Sequence, residues 1–350
     1  MTENNQPLEP ILEPELPIID PHHHLWDWPE ALFAGRPATH GFETVVRRAM
    51  RYLLHEFLVD INTGHKILGT VFVQCTAMYK ADGPEAFKPI GETEFVNGVA
   101  AMCASGTYGD VRVCAGIVGH ADLNRGAAVD AVLAAHVAAG GGRFRGIRHS
   151  ASYDADPTVL GPLARIGGGL YTTREFREGY AQLRKFDLSF DSWLLEPQLP
   201  ELIDLAQAFP DTPVILDHVG TPLGLASYFG RRAERFPLWR DHIRKLAALP
   251  NVSVKLGGLA MAFCNFPSFL QTPAATSAQL AAEWKPYIET CIEAFGVHRC
   301  MFESNFPVDL GSCTYPVLWN AFKILAKNYS AAEKAALFSG TARRVYRLGI

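Results

Sequence analysis

Eight short apolar segments, most of them separated by a polar loop and an amphipathic helix, constrain the fold of this 350-residue chain more than any other feature. Several are continuous apolar runs, such as the one from Gly69 to Val73, which is typical of parallel strands buried on both faces. Strands that alternate with helices form parallel βαβ units, so eight of them predict a closed (β/α)8 TIM barrel, an α/β fold. The strands are predicted within Ile18–Trp26 and at Ile67–Gln74, Val111–Val118, Phe144–His149, Phe186–Asp191, Pro213–His218, Asn251–Leu256 and Arg299–Glu303.

The connections between the strands differ in length, and this difference predicts where a ligand would bind. Helices are predicted at residues 91–105, 124–139, 199–209, 237–249, 278–295, 317–327 and 331–346. Long loops follow the strands, at residues 27–45, 75–90, 150–173, 219–236, 257–276 and 304–316. Because the loops after the strands build the active-site face of a (β/α)8 barrel, their length predicts a lidded pocket for a small molecule.

Composition and charge exclude several classes of protein. The formal net charge of -4 provides no basic surface for nucleic acid, and no apolar run approaches the length of a membrane span. The seven cysteines form no CxxC pair and no signal peptide precedes them, which predicts reduced thiols and a cytoplasmic location. Residues 1–17 are rich in Pro and Glu and are interpreted as an extended N-terminal arm, which can lie on another subunit of a homo-oligomer. Residues 18–350 are interpreted as one barrel domain.

The first predicted strand ends in three consecutive histidines, His22, His23 and His24. Side chains alternate along a strand, so His22 and His24 are expected on one face and His23 on the other. Two imidazoles on one side of a strand end can begin a divalent-metal site. A histidine run can also be a tag or a solvated turn, but a tag would lack the apolar strand before it.

Other predicted strand ends carry further candidates. His218 ends the sixth strand, where it could be a third ligand, a proton donor or a core histidine bonded to a backbone carbonyl. Arg148 and His149 end the fourth strand, and Arg148 could hold a substrate carboxylate or pair with a neighbouring acid. The fifth strand offers Asp191, and the seventh offers Lys255.

The eighth strand lacks the expected carboxylate at its end. A strand-end acid there would serve as general base for a metal-activated water, but the position holds Asn305, which cannot take a proton. Glu303 lies two residues before it and Asp309 four residues after it. Either acid could replace the missing base or be structural.

These motifs together resemble the amidohydrolase superfamily, and more narrowly its amidohydrolase-related lactonase branch. That branch contains 2-pyrone-4,6-dicarboxylate lactonase, fuconolactonase-like enzymes and sulfomuconolactone hydrolase. The resemblance extends from about residue 18 to the C-terminus, and four segments carry it: Ile19–Trp26, Ile215–Pro222, Met301–Asp309 and Thr341–Leu348.

The resemblance implies a (β/α)8 barrel that hydrolyses a lactone of a sugar acid or of aromatic catabolism. It implies that His22, His24 and His218 are catalytic and, if a metal binds, hold one divalent ion, with zinc expected. Asn305 stands where most members have an aspartate that is both ligand and base, so the metal is optional. No lysine ends the fourth strand, and a binuclear site is therefore not expected.

The predicted reaction is attack of water on the ring carbonyl at the histidine cluster, which stabilises the oxyanion. The predicted catalytic set also includes Asn305 and Asp309, and the predicted substrate contacts are Arg148, His149, Asp191 and Trp26. Two alternatives stay open on the same scaffold: a decarboxylase or hydratase, and a non-catalytic barrel that binds a small molecule.

Overall fold

The computed structural model describes residues 9–165 and 167–350. Eight parallel strands form one sheet in which each strand pairs with the next along the chain. This confirms the predicted (β/α)8 barrel and all eight predicted strands. The strands are β1 (Pro17–His23), β2 (Lys66–Val73), β3 (Arg112–Gly119), β4 (Phe144–Arg148), β5 (Ser189–Ser192), β6 (Val214–Leu216), β7 (Val252–Leu256) and β8 (Cys300–Phe302).

The segment that follows β8 brings the barrel close to closure against β1. The backbone N–H of Asn305 donates to the carbonyl of His22 at 2.8 Å, and the N–H of His24 donates to the carbonyl of Phe306 at 2.8 Å. Asn305 adopts a left-handed conformation with φ 53°. These contacts bring the first and last strand ends together, as a barrel fold requires.

Helices cover the outside of the sheet. They are α1 (Gly41–Arg48), α2 (Leu54–Ile61), α3 (Ile90–Ala104), α4 (Asp130–Ala139), α5 (Arg174–Tyr180), α6 (Leu199–Ala208), α7 (Arg232–Ala247), α8 (Ser277–Phe295), α9 (Tyr315–Leu325), α10 (Ala331–Ala335) and α11 (Thr341–Val345). The helix predicted from residue 124 is wrong in its first part, which is a 3-10 segment broken at Gly126 with φ 58°. The helix predicted at 331–346 is α10 and α11 joined by a π-helical turn.

The apolar core has two parts. The larger part lies between the strands and the helices. The smaller part fills the barrel, where Ile19, Val71 and Ile215 meet Tyr346 and Leu348 from the C-terminal segment. The barrel is therefore filled with side chains at the end opposite the long loops, as expected for this architecture.

The first eight residues of the predicted arm lie outside the described residues. The part that is described lies on α9 of its own chain. The N–H of Leu12 donates to Asn320 at 2.9 Å, and Lys323 donates to the carbonyls of Leu12 and Glu13. All seven cysteines are unpaired, as predicted. Among the described helices, none combines the length and apolar character needed to cross a membrane.

Candidate active site

His22 and His24 face the same side at the end of β1. Their ring centroids lie 4.9 Å apart, whereas His23 turns outward and stacks on Phe57 at 4.3 Å. Ile19 faces the barrel interior, so uninterrupted alternation would send His23 inside as well. The register of β1 against β2 shifts near the end of β1, and this irregularity reverses the phase so that His22 and His24 point inward.

His218 reaches the same place from the end of β6. Its ring centroid lies 4.6 Å from that of His22. The predicted strand stops short of His218, because His218 and Val219 have left-handed backbones with φ 56° and 48°. A side chain at Gly258 would place its Cβ 2.4 Å from the His218 ring, so only glycine leaves room there. The sequence thus builds a tight turn that presents His218 at the barrel mouth.

Glu303 lies between His22 and His218. Its Oε1 accepts hydrogen bonds from the backbone N–H of His218 at 3.1 Å and from Nδ1 of the same residue at 2.7 Å. Its Oε2 lies 2.8 Å from Nδ1 of His22. Burial opposes ionisation of this carboxyl, but the two imidazoles hold its pKa down at about 2. The acid that the sequence left open is therefore an ionised carboxylate inside the cluster.

The neighbouring groups constrain the protons on these two rings. Arg148 Nη1 lies 3.3 Å from Nε2 of His22, and because a guanidinium can only donate, that Nε2 must accept. Nδ1 of His22 lies between the Glu303 carboxylate oxygen at 2.8 Å and the Lys255 ammonium nitrogen at 3.1 Å. Burial, followed by the nearby Lys255, lowers the pKa of His22 to about 4, so this ring is neutral at pH 7. Because a carboxylate can only accept, His218 carries a proton on Nδ1, toward Glu303.

His24 is held differently. Its Nδ1 lies 2.7 Å from the carbonyl oxygen of Val73, which can only accept, so this nitrogen carries the proton. Burial, and then the neighbouring His22 and Arg148, keep the pKa of His24 well below its usual range. Trp26 stacks alongside it at 5.9 Å. His24 is therefore a neutral imidazole whose Nε2 has its lone pair free.

A buried ionic network lies beneath the histidines. Lys255 Nζ lies 2.7 Å from Asp191, 2.9 Å from Asp217 and 3.1 Å from Nδ1 of His22. Tyr346 donates to Asp191 at 2.6 Å. Burial disfavours the charged form of Lys255, but the two aspartates raise its pKa above the usual value. This side chain is therefore an ammonium ion in the barrel interior.

The two aspartates respond to that ammonium differently. Burial opposes ionisation of Asp217, but Lys255 and then His22 hold its pKa well below the usual range. Burial dominates at Asp191 and raises its pKa to about 6, although Lys255 pulls in the other direction. Both aspartates face the Lys255 ammonium, and Asp191 is the nearer of the two.

Strand alternation places Lys255 inside the barrel. Val252, Val254 and Leu256 pack outward against the helices, so Lys255 must point into the barrel. A lysine in an otherwise apolar, two-face-buried strand is the sequence signal that could have identified it.

The structure separates the predicted substrate contacts. Arg148 and Trp26 line the cavity at the barrel mouth, but His149 and Asp191 are not among the residues that line it. His149 turns away and accepts from the N–H of Leu123 at 3.3 Å. Asp191 is fully buried below the cavity. His149 lies on the outward face just after β4, and Asp191 is enclosed in the ionic network, so neither side chain reaches the cavity.

Arg148 makes the contacts that both interpretations of it require. It lies on the cavity wall, and its Nη1 is 3.5 Å from Asp217. Its Nη2 donates to the carbonyl of Gln74. The ion pair and this backbone contact fix the guanidinium in place, which leaves Nε as a buried donor without a protein partner.

Asn305 and Asp309 form a pair in which only the first lines the cavity. The Asn305 amide donates to Asp309 at 2.8 Å. Burial raises the pKa of Asp309 well above its usual range. Asp309 therefore orients Asn305 from behind.

The cavity at the barrel mouth has a volume of about 440 Å³. His24, Arg148, His218 and Asn305 contribute its polar end. The long loops supply the rest of the wall, which is mostly apolar and includes Trp26, Trp28, Leu32, Phe33, Phe42, Leu163, Trp193, Met261 and Phe263. This volume is suited to a small molecule.

One group of side chains in the described part of the chain could hold a metal ion. Ligand atoms of His22, His218 and Glu303 all lie within 4.8 Å of one another, and all three residues are buried. Two histidines and one ionised carboxylate match the donor set of catalytic zinc sites, so the residues fit one divalent ion. The predicted metal ligands were His22, His24 and His218. In the structure this group contains Glu303 and not His24, whose Nδ1 is bonded to a backbone carbonyl.

The chain is similar to proteins of one family along nearly its whole length. A family model described as Amidohydrolase matches residues 19–348. Among curated proteins, the uncharacterized protein y4mH of Sinorhizobium fredii is 33% identical over 341 residues, which are 95% of this chain and 99% of that protein. An L-fucono-1,5-lactonase of Burkholderia multivorans is 33% identical over 213 residues, which are 59% of this chain and 64% of the lactonase.

A solved structure shows the same likeness. A crystal structure of an amidohydrolase from Burkholderia multivorans with bound zinc superposes with a TM-score of 0.69. It is 27% identical in sequence, and the alignment covers 95% of this chain and 99% of that one. These comparisons support an enzyme, and the match of the family model to residues 19–348 shows that the chain belongs to the amidohydrolase family.

Proposed function

We propose that the protein hydrolyses a lactone by attack of water on the ring carbonyl. The observation that carries this proposal is the convergence of His24, His218 and Arg148 on one cavity of about 440 Å³ at the carboxyl ends of the strands. The 33% identity to an L-fucono-1,5-lactonase supports the reaction class. A ring ester is also a reactive substrate that suits a site built from neutral imidazoles and a fixed guanidinium.

His218 is the general base in this proposal. Its Nδ1 proton is held by the Glu303 carboxylate at 2.7 Å, which orients the ring and stabilises the imidazolium formed when the other ring nitrogen removes a proton from water. His24 also presents an unprotonated Nε2 and accepts a hydrogen bond from the same water or from the substrate. This assignment differs from the predicted one, in which all three histidines stabilise the oxyanion.

Arg148 is the electrostatic stabiliser. The tetrahedral intermediate carries its negative charge on the former carbonyl oxygen, and a fixed cation beside that oxygen lowers the barrier. Arg148 is held by Asp217 and Gln74, so it does not need to reorganise during the reaction. The Lys255 ammonium below adds positive charge to the same end of the cavity.

His22, His218 and Glu303 would hold a divalent ion, as the zinc-bound relative suggests for this chain. Such an ion would supply Lewis-acid polarisation of the ester carbonyl. Lys255 Nζ lies 3.1 Å from Nδ1 of His22, so a metal ion bound at this nitrogen would compete with the lysine ammonium. Metal analysis of the purified protein, before and after chelation, measures this occupancy directly.

The test is a pH-indicator screen of lactones with wild-type protein and the His218→Gln variant. We expect kcat to fall by about 100- to 10,000-fold in His218→Gln, as for loss of a general base. His136→Gln is a matched control, because His136 is equally buried but its hydrogen bonds go to Thr93 and His120, away from the cavity. Unchanged turnover in His218→Gln would remove the proposed base.

Product analysis separates this reaction from the alternatives. Lactone hydrolysis consumes base and releases no gas, whereas a decarboxylase releases carbon dioxide. Saturable binding of lactones without any turnover would instead identify a non-catalytic barrel.

A further inference from the structure

The wall of the cavity points to a more specific class of substrate. We infer that the protein acts on a lactone whose body is aromatic or otherwise apolar and which carries one carboxylate, rather than on a polyhydroxylated sugar lactone. This inference rests on the proposed function, because it names the substrate class of the same site.

The loops give the cavity an apolar surface on several sides. Trp28, Leu32 and Phe33 come from the loop after β1, while Trp193 and Phe263 come from the loops after β5 and β7. Leu32 is 53% exposed although it lines the cavity, so it lies at the rim. An exposed leucine beside half-buried and buried aromatic rings marks an entrance that favours an apolar guest.

Several polar atoms of this wall are already engaged within the protein, although the buried indole N–H of Trp193 has no partner among the described residues. Glu43 pairs with Arg36 and Arg47, each at 2.7 Å. The indole N–H of Trp26 donates to a backbone carbonyl at 2.6 Å. Ser150 bonds to a neighbouring serine hydroxyl at 2.8 Å. A sugar hydroxyl placed beside these engaged groups would lack a partner, and each such hydroxyl costs roughly 1–3 kcal/mol.

Among the described residues of the wall, Arg165 is an arginine without a carboxylate partner. Its hydrogen bond goes to the carbonyl of Ser150 at 3.2 Å, and it makes no ion pair with any acid in residues 9–165 or 167–350. Arg148 is held by Asp217 and Gln74, so Arg165 is the guanidinium with capacity for a substrate carboxylate. It comes from the loop after β4, and it lines the cavity together with Arg148.

Three probes test the inference: dihydrocoumarin-6-carboxylate, dihydrocoumarin and L-fucono-1,5-lactone. We expect kcat/KM to fall in that order, by about tenfold or more at each step, because first the charge partner and then the apolar contact is lost. Phe33→Ala should lower kcat/KM about tenfold for the two aromatic lactones through KM, and should lower it less for the sugar lactone. Phe229→Ala is the control, since Phe229 is 75% exposed and does not line the cavity.

Arg165→Gln should lower kcat/KM for the carboxylated probe at least tenfold more than for dihydrocoumarin, and so remove the preference for the carboxylate. Faster hydrolysis of L-fucono-1,5-lactone than of both aromatic probes would overturn the inference. So would equal losses for all three probes in Phe33→Ala.

Binding of the lactam 3,4-dihydro-2-quinolinone, measured by tryptophan fluorescence, separates this inference from the proposed function. If the lactam binds, and binds more weakly to Phe33→Ala than to Phe229→Ala, while no lactone is hydrolysed, then the proposed reaction fails and the apolar class survives. Failure of the lactam to bind would overturn the apolar class, whatever lactones are turned over.

Discussion

The floor and the wall of the cavity are built on opposite principles. On the floor, Glu303, Lys255 and Asp217 are fully buried charges that bind one another and the histidines, and all come from strands or strand ends. On the wall, aromatic and aliphatic side chains come from loops, and the charged pair of Glu43 and Arg36 turns its charges to each other. In the proposed function, this difference would separate the chemistry, which needs fixed charges, from substrate choice, which loops can vary without disturbing the barrel.

Glu303→Gln should produce the largest effect, because it removes the carboxylate that orients both His22 and His218. We expect kcat for lactone hydrolysis to fall by about 1,000-fold. Glu43→Gln changes an acid of the wall in the same way and should alter kcat by less than about tenfold, since this acid bonds to two arginines and the Thr39 N–H and not to the histidines. Comparable losses in the two variants would break the distinction between floor and wall.

Lys255→Met tests whether the floor is held together by its charges. The variant leaves Asp191 and Asp217 buried without their cation, and breaking a buried ion pair costs about 3–5 kcal/mol of unfolding free energy. Urea unfolding monitored by circular dichroism measures the loss. Adding Asp191→Asn should recover part of it, because the second change removes one of the two uncompensated acids. Additive losses would show that the two residues do not act as one network.

Glu92 is a buried acid of α3 that holds the loop after β2, and its protonation should make stability depend on pH. It accepts hydrogen bonds from the backbone N–H groups of Cys75 and Ala77, both at 2.9 Å, in the loop after β2. Burial raises its pKa to about 7 from the ordinary value of 4.5. The folded state thus keeps a proton that the unfolded chain has released, so stability falls as pH rises through this window.

We expect Glu92→Gln to reduce this pH dependence, since an amide stays uncharged. Between pH 5 and pH 8 the wild type should lose up to about 3 kcal/mol more unfolding free energy than the variant. Urea unfolding at the two pH values measures the difference. Glu94→Gln is the control, because Glu94 is 52% exposed and pairs with Lys80 at the surface. A parallel change in both variants would contradict the assignment to Glu92.

The fold and the positions of the site histidines could be predicted because they follow from local periodicity. Apolar runs of strand length recur between helices, and His218 follows one such run closely enough to lie at the end of β6. The shared face of His22 and His24 was also predicted, but uninterrupted alternation from Ile19 would have turned His23 inward in place of this pair. A register shift at the end of β1 reverses the phase, and nothing in the local pattern announces it.

The ionic floor could not be predicted, because it depends on contacts between residues far apart in sequence. Lys255 and Asp191 lie 64 residues apart, and Lys255 and His22 lie 233 apart. Whether a strand-end side chain enters the cavity, as Arg148 does, or turns away, as His149 does, depends on one step of alternation at a strand end. Strand ends are also where boundaries read from sequence are least certain.

Tyr346→Phe should have the smallest effect. It tests whether the deepest part of the floor contributes to stability alone or also to kcat. Tyr346 comes from the C-terminal segment at the end of the barrel opposite the cavity, and its hydroxyl donates to Asp191 at 2.6 Å. Loss of this buried hydrogen bond should cost about 1–2 kcal/mol of unfolding free energy. Lys255 still neutralises Asp191 in the variant, so kcat should stay within a few fold of wild type.

The comparison between Tyr346→Phe and Lys255→Met locates the boundary of the catalytic floor. If Tyr346→Phe lowers kcat as strongly as Lys255→Met, then the charge balance on Asp191 is transmitted to His22 and the floor extends through the whole barrel. If only stability changes, then the floor ends at the Lys255 ammonium, and the C-terminal segment serves to close the barrel. The near-contact of Lys255 with His22 at 3.1 Å and the absence of any such contact from Tyr346 among the described residues favour the second outcome.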